Sequence, residues 1–375
     1  MGSHIQFPAS QGTLRIADLF CGPGGLSQGF RLGSRVLGFK TQHQLAVDVD
    51  RDALRVYAAN HRPRLALNES TASLVSYALQ ENSEGVRFTS LPLVRDERVA
   101  ALRGQLDVLL AGPPCQGHST ANSKRRFFDQ RNLLYLTVPA LAIALDIPVV
   151  VIENVPGVRA SQQGVVQTTW KLLEGAGYSV TGGVLNASDL GWAQSRKRYF
   201  MIASRGSQPL DVSRELLPAL RRPPMAISDL LGDLVAAEPD GFMTELPELS
   251  VENRRRIDFL HDQDLYDLPD EHRNKKARES GTTYRSVYGR MYWDKPAQTI
   301  TTGFLTPGRG RYVHPIARRT LLPLEAARLQ GFPDDYVFNA FGETPNRTAL
   351  AKWIGDAVPA PLGFAAAISA LARKV

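Results

Sequence analysis

The sequence predicts an α/β fold in which helices flank a mostly parallel sheet, with a second, smaller and irregular domain. Three observations carry that expectation. Through about residue 205, short β-branched runs alternate with helix-length amphipathic segments, the rhythm of strand–helix–strand units. Two of the runs end in turns built from glycine and proline, at 22–25 and 112–114. Beyond Arg205 the rhythm stops, broken by Pro209, Pro218, Pro223, Pro224, Pro239, Pro247 and Pro269.

The elements follow in order. Residues 14–20 read as the first strand, 22–25 as a tight turn and 26–31 as the start of a helix. A second strand at 44–49 precedes a helix at 52–60, and a third strand occupies 107–111. The most apolar run, 133–152, is interrupted by Pro139, Asp146 and Pro148, which a membrane span tolerates poorly. It reads as a buried helix, a turn and a buried strand at 148–153, because VVVIE is too short for a helix. Residues 199–203 add a further strand, completing a first domain at 10–205. Within 251–320, 14 Lys and Arg face 9 Asp and Glu, interleaved with Tyr284, Tyr288, Tyr292, Trp293 and Tyr312. That mixture suits phosphates and bases, or equally a solvated surface over a small aromatic core. Helices return at 323–330 and 349–354, and an Ala-rich helix at 363–371 closes the chain.

Composition narrows the function classes. The chain has 375 residues, 43% hydrophobic and 22% charged, which excludes a disordered tail, a collagen and a small disulfide-stapled scaffold. A net charge of +7 favours a polyanionic partner, so nucleic acid is the first to test. The only cysteines are Cys21 and Cys115, which form no disulfide framework and no Cys-x-x-Cys pair. No metal centre is expected, the compartment is expected to be reducing, and a lone thiol that matters is a nucleophile. No N-terminal stretch has the makeup of a secretory signal, so a cytoplasmic location is expected.

Four clusters of residues can carry chemistry. Asp18-Leu-Phe-Cys-Gly-Pro-Gly-Gly25 follows a strand and opens a helix, which brings backbone N–H groups close to a nucleotide-like ligand. It is neither GxGxxG nor a P-loop, and Asp48, ending the second strand, is placed for ribose hydroxyls. Gly112-Pro-Pro-Cys-Gln-Gly-His-Ser119 follows the strand DVLLA, so Cys115 is presented on a stiff turn at the carboxyl edge of the sheet. A buried structural cysteine is the usual alternative, which the flanking prolines and glycine oppose. The stretch from Ser119 to Arg131 carries Lys124, Arg125, Arg126 and Arg131, a loop suited to closing over phosphates. Glu153-Asn-Val ends the buried strand, where a carboxylate is costly without a partner. In Gln194-Ser-Arg-Lys-Arg-Tyr-Phe200, Arg196 and Arg198 alternate on one face and their forks could orient a planar, carbonyl-bearing substrate. Taken singly, each cluster also has an ordinary reading as a plain turn or a surface ion pair.

Together and in this order, the four resemble the motifs of the C5-cytosine DNA methyltransferases. Two later stretches extend the resemblance: 324–336, LEAARLQGFPDDY, and 355–359, GDAVP. The resemblance implies a Rossmann-like AdoMet-dependent methyltransferase fold, with a target-recognition domain at 206–320 and a segment at 321–375 that braces it and returns helices to the catalytic domain. It implies that Phe20, Gly22, Gly24, Gly25, Asp48, Val49, Glu69 and Asp356 hold S-adenosyl-L-methionine (AdoMet), with S-adenosyl-L-homocysteine as the product. Val49 stands where an aromatic is common and Asp356 where asparagine is usual. Cys115 is implied as the nucleophile adding to C6 of a flipped-out cytosine, with Glu153 at N3 and the exocyclic amine, and Arg196 and Arg198 at the O2 side. Gln116, Ser119, Lys124, Arg125, Arg126 and Arg131 are implied on the DNA backbone or in the gap left by the base. In the recognition domain, Arg273, Tyr284, Arg285 and Arg290 are the candidates for DNA contacts. The implied partner is double-stranded DNA, with a monomeric, prokaryotic, nucleoid-associated enzyme paired with a cognate endonuclease or defence system. Rival readings are the tRNA-methylating branch of the same family and a catalytically silent DNA-binding relative. An unrelated Cys-dependent RNA methyltransferase is opposed by the lack of a second catalytic cysteine.

Overall fold

The computed structural model describes residues 11–82, 85–114, 130–160, 164–235, 240–273, 286–342 and 344–375. The chain divides into two compact units. Unit 1 comprises Met1–Asn186, Lys197–Leu220 and Ala360–Val375, and unit 2 comprises Ala187–Arg196 and Arg221–Pro359. These limits differ from the expected 10–205, 206–320 and 321–375. Residues up to Leu220 stay with unit 1 because Val212 packs where Gly183 leaves no room for a Cβ, which would lie 2.7 Å from Cγ1 of Val212. Leu210 N–H also bonds the Ser369 carbonyl at 2.9 Å. Only the last helix rejoins unit 1, whereas 321–359 belongs to unit 2.

Unit 1 is built on a seven-stranded sheet. Its strands are β1 (Gly12–Leu19), β2 (Phe39–Val47), β3 (Leu65–Leu67), β4 (Val108–Ala111), β5 (Val149–Asn154), β6 (Ser179–Asn186) and β7 (Lys197–Ser204). They lie in the order β6-β7-β5-β4-β1-β2-β3, and β7 runs antiparallel to both its neighbours. The central strands β4 and β5 are buried along their whole length, which is why they read as continuous apolar runs. Between β1 and β2 the register slips, pairing Ile16 with His43 but Ala17 with Leu45, so that Gln44 is the extra residue of a bulge.

The helices of unit 1 include α1 (Gly25–Val36), α2 (Arg51–His61), α3 (Gln130–Ala144), α4 (Val165–Gly175) and, at the end of the chain, the last helix Ala360–Leu371. α1 and that last helix pack backbone to backbone. A Cβ on Gly29 would stand 1.9 Å from the Ala360 carbonyl oxygen, and one on Gly33 2.6 Å from that of Phe364. Gly363 answers from the other side, where a Cβ would meet the Leu26 carbonyl at 2.6 Å. Glycine at every fourth position of α1 therefore allows an approach that no side chain permits.

Unit 2 has longer helices at Val251–Asp262 (α5), Pro323–Gln330 (α6) and Arg347–Asp356 (α7), and a two-residue parallel pairing of Gln194–Ser195 with Ala297–Gln298. In chain order the last helix of unit 1 is then α8. A small core of Ile257, Leu260, Leu268, Tyr288 and Val313 supports unit 2. Beside that core Tyr266 and Tyr292 stack at 4.4 Å, with Arg290 over Tyr266 and Arg311 over Tyr292. Here the sequence expectation is corrected. Arg290 donates to the Pro315 carbonyl at 2.8 Å and pairs with Asp264. Arg273 is 8% exposed and donates to the Leu268 carbonyl at 2.9 Å. Both guanidinium groups hold unit 2 together instead of facing out as base readers. Tyr284 and Arg285 lie outside the described residues.

Candidate active site

The register of the sheet builds the site in unit 1. Leu19, Val47, Ala111 and Ile152 form one row across β2, β1, β4 and β5. The residues that follow these four in the chain are Phe20, Asp48 and Gly112, each just past its strand, and Glu153 within β5, so the four expected positions emerge side by side at one edge. β7 is antiparallel and starts where the others end, which brings Arg198 to the same edge. The chain order reverses between β1 and β4, and ligands of open α/β sheets bind in the crevice beyond such a point.

Glu153 is 7% exposed, at the end of a wholly buried strand. A carboxylate there needs a cation, and Arg198 Nε lies 2.8 Å from Oε1. A Cβ on Gly112 would stand 3.6 Å from Oε2 of Glu153 and 3.8 Å from the Phe20 carbonyl, so the carboxylate borders both turns. The neighbouring Asn154 has a function that sequence reasoning missed. Its amide donates to the Pro113 carbonyl at 3.2 Å and its Oδ1 accepts the Val155 N–H at 2.7 Å. Glu153-Asn154 thus fixes the Gly-Pro-Pro backbone that leads into Cys115. The signal was there, since a buried amide beside a proline-rich loop has few other uses. Cys115, Gln116, Ser119, Lys124, Arg125 and Arg126 lie outside the described residues, as does the side chain of Arg131, which is within α3.

The glycine turn is held by its neighbours. Gly22 and Gly24 have φ of +51° and +99°, and Phe20 is also left-handed at +56°. Asp48 locks the turn: its Oδ2 accepts the Gly22 N–H at 2.7 Å and its Oδ1 the Asp50 N–H at 2.8 Å. Nothing stands within 4 Å of a Cβ on Gly22, so the turn presents bare backbone. α1 follows Gly24, an N-cap that makes no side-chain hydrogen bond, and a helix N-terminus of this kind suits an anionic group. Val49 is 71% exposed, an apolar platform next to Asp48. Asn68 ties that platform down by donating to the Asp48 and Val49 carbonyls at 3.0 Å, and exposed Glu69 follows it. This pairing of bare turn, acid and apolar platform fits a nucleoside-bearing methyl donor.

Beneath the turn lies a buried polar chain that the sequence did not announce. Ser27 Oγ donates to Asp18 Oδ2 at 2.6 Å and meets Tyr57 Oη at 2.9 Å, and Tyr57 Oη meets His43 Nδ1 at 2.8 Å. Burial raises the Asp18 carboxyl to about 7 and lowers His43 to about 4. Cys21 is buried in the same region, and burial with the nearby Asp18 and Asp48 holds its thiol well above the ordinary value, which disfavours the thiolate.

Arg196 does not join Arg198. It precedes β7, lies in unit 2 and is 2% exposed. Its Nη1 donates to the carbonyls of Ile300 at 2.5 Å and Gly355 at 2.8 Å, and Nη2 to that of Asp356 at 3.4 Å. Asp356 ends α7, with its carboxylate 3.6 Å from Lys352.

Strand order, glycine turn and the acid after β2 define a Rossmann-like, AdoMet-type methyltransferase. Residues 14–371 match the family described as C-5 cytosine-specific DNA methylase, and the chain belongs to that family. It is 39% identical to the Type II methyltransferase M1.BsuMI of Bacillus subtilis (strain 168), over 96% of this chain and 81% of that protein. With the Type II methylase M.HgiDII of Herpetosiphon aurantiacus, identity is 32% over 93% and 92% of the two chains. Among solved structures, the S. pombe Dnmt2 methyltransferase is similar in fold, with a TM-score of 0.63 at 16% identity over 96% of this chain and 99% of that one. The chain is therefore a DNA (cytosine-5)-methyltransferase.

Proposed function

We propose that this enzyme methylates C5 of a cytosine flipped out of a specific duplex sequence, with AdoMet as donor, as the modification partner of a restriction system in the prokaryotic cytoplasm. The observation that carries the reading is the Glu153–Arg198 pair bordering Gly112, with Asn154 gripping Pro113 two residues before Cys115. The family's description as a cytosine-specific DNA methylase supports DNA over tRNA as substrate.

C5 of cytosine is a poor nucleophile until a group adds at C6. In this reading the Cys115 thiolate forms the S–C6 bond. Glu153 holds N3 and the exocyclic amine as electron density moves into the ring, and Arg198 faces the O2 side. AdoMet, when bound, would supply an electrophilic methyl group to C5 and leave as the thioether S-adenosyl-L-homocysteine. Its methionine end is assigned to the N-terminus of α1 with Gly22, Gly24 and Gly25, its ribose to Asp48, and its adenine to Phe20, Val49 and Glu69. Loss of the C5 proton and expulsion of the Cys115 thiolate restore the aromatic ring. Phosphate contacts are assigned to Lys124, Arg125, Arg126 and Arg131, with Gln116 and Ser119 at the vacated position, and sequence reading to unit 2. Bisulfite sequencing of DNA from cells expressing the protein tests the reading. The expected result is protection of one cytosine in one short motif; unprotected DNA, with methyl transfer to tRNA in a parallel assay, contradicts it.

A further inference from the structure

Within unit 1, α2 touches both the acid after β2 and the glycine turn. At its start, Asp50 caps the helix by accepting the Ala53 N–H at 3.1 Å, while the Asp50 N–H is held by Asp48 at 2.8 Å. In its second half, Tyr57 and His61 stand four residues apart and so share one face. Their rings lie 4.6 Å apart, and His43 of β2 completes the group at 4.9 Å from His61 and 5.7 Å from Tyr57. The His61 ring hydrogen-bonds the Gly24 backbone. The Tyr57 hydroxyl meets Ser27, in the first turn of α1, whose own hydroxyl reaches Asp18 of β1. Burial holds both imidazoles below their ordinary value, His43 at about 4, so both are neutral at pH 7.

Apolar contact would hold α2 here at lower cost than buried hydroxyls and imidazoles, and Leu54 and Ala46, clustered with Tyr57, show that the region admits it. What hydrogen bonds add is direction, and in a chain of hydroxyls each bond constrains the next. Gly24 needs that direction: at φ +99° and with no side chain, its orientation depends on what its backbone meets, which is the Cys21 carbonyl at 3.0 Å and His61.

We propose that Tyr57 and His61 are positioning residues for the methyl donor, fixing Gly24 and the first turn of α1 from below in the orientation that the donor's methionine end requires. The inference rests on the assignment of AdoMet to the glycine turn and deepens it. Asp48 would then be set against the turn twice, directly through Gly22 and through the length of α2.

The test compares Tyr57→Phe and His61→Phe, which keep the rings and remove the polar atoms, with Tyr178→Phe in the full-length enzyme. Tyr178 is the matched control: its buried hydroxyl donates to the Ile147 carbonyl at 2.5 Å, before the start of β5 and so at the opposite edge of the sheet from Glu153. AdoMet affinity is measured by calorimetry, kcat and KM by methyl transfer to duplex DNA, and backbone opening at 22–28 by hydrogen exchange. Tyr57→Phe and His61→Phe are expected to weaken AdoMet roughly fivefold to tenfold, the scale of one hydrogen bond, and to raise its KM alike. Exchange at 22–28 should quicken, with kcat at saturating AdoMet within about threefold of wild type. Tyr178→Phe should lower the melting temperature and leave AdoMet affinity unchanged. If Tyr57→Phe and His61→Phe behave as Tyr178→Phe does, the chain only stabilises the fold and the proposal is overturned. A fall in kcat with AdoMet affinity intact overturns it as well. Should Tyr57→Phe be insoluble, unchanged AdoMet affinity in both Ser27→Ala and His61→Phe decides against it equally. Wild-type enzyme that binds no AdoMet would remove the functional reading and this proposal together, before any variant is compared.

Discussion

Gly29→Ala sets two physical effects against each other. Gly29 lies inside α1, and replacing an interior helical glycine by alanine ordinarily stabilises by about 1 kcal/mol. The new Cβ, however, would stand 1.9 Å from the Ala360 carbonyl oxygen and 2.7 Å from its carbon. These are backbone atoms of α8, so no side chain can turn away, and the helices must part by more than about 1 Å to reach an ordinary contact. Overpacking of that kind costs ~3 kcal/mol, the upper end of the usual range, leaving a net loss of ~2 kcal/mol. For a domain of this size that is a drop of roughly 4–8 °C in the melting temperature. Gly175→Ala is the control: it is the last residue of α4, with nothing within 4 Å of a Cβ, and the gain of up to ~1 kcal/mol should appear undiminished. Circular dichroism melting of the two variants beside wild type reads both. A melting temperature for Gly29→Ala equal to or above wild type would refute the argument that the glycines of α1 exist for close approach.

Glu153→Gln keeps the shape and removes the charge facing Arg198, so turnover should fall by ~10²–10⁴ with a much smaller change in DNA affinity; an unchanged rate in single-turnover methyl transfer would make Glu153 structural. Asp18 titrates near 7 when folded against an ordinary 3.8, so between those values the folded chain holds a proton that the unfolded chain has lost. This group's contribution therefore makes stability fall as pH rises from about 4 to 7, by on the order of 4 kcal/mol, and Asp18→Asn should flatten the slope in urea titrations across that window. Neutralising Lys124 or Arg125 should weaken binding to all duplexes alike and reduce the salt dependence by about one phosphate contact each; a shift in the methylated sequence would contradict that assignment.

The strands that carry the site were legible because buried parallel strands are continuous apolar runs ending in turns: LLA, VVVIE and YFMIA were placed within a residue or two. β6 was not, since Gly182 and Gly183 erase its pattern. They are there because a Cβ on Gly182 would lie 2.5 Å from Tyr199 Oη, a contact no local rule reveals. β2 was begun late for a related reason, as the bulge at Gln44 breaks the alternation and the polar residues 40–42 precede it. α5 escaped notice because charge dominates VENRRRIDFLHD and only Ile257 and Leu260 are buried. At the site, residue type and spacing marked Glu153 and the glycine turn. They could not separate Arg196 from Arg198, because the division depends on which carbonyls come near, and those belong to residues more than a hundred positions away. Arg273 and Arg290 were misjudged similarly: arginine among tyrosines has the same composition whether it faces a groove or holds a loop.

The central claim is covalent activation of cytosine by Cys115, and the most direct measurement is a trap. Duplex DNA carrying 5-fluorocytosine at the methylated position cannot lose its C5 substituent, so the thiol–C6 bond should persist after methyl transfer. Wild-type enzyme with AdoMet is predicted to form a denaturant-resistant protein–DNA adduct whose digestion places the link on the Cys115 peptide. Cys115→Ser should form none while still binding AdoMet, and Cys21→Ala should form it normally. An adduct mapped elsewhere, or substantial C5 methylation by Cys115→Ser, would contradict the account.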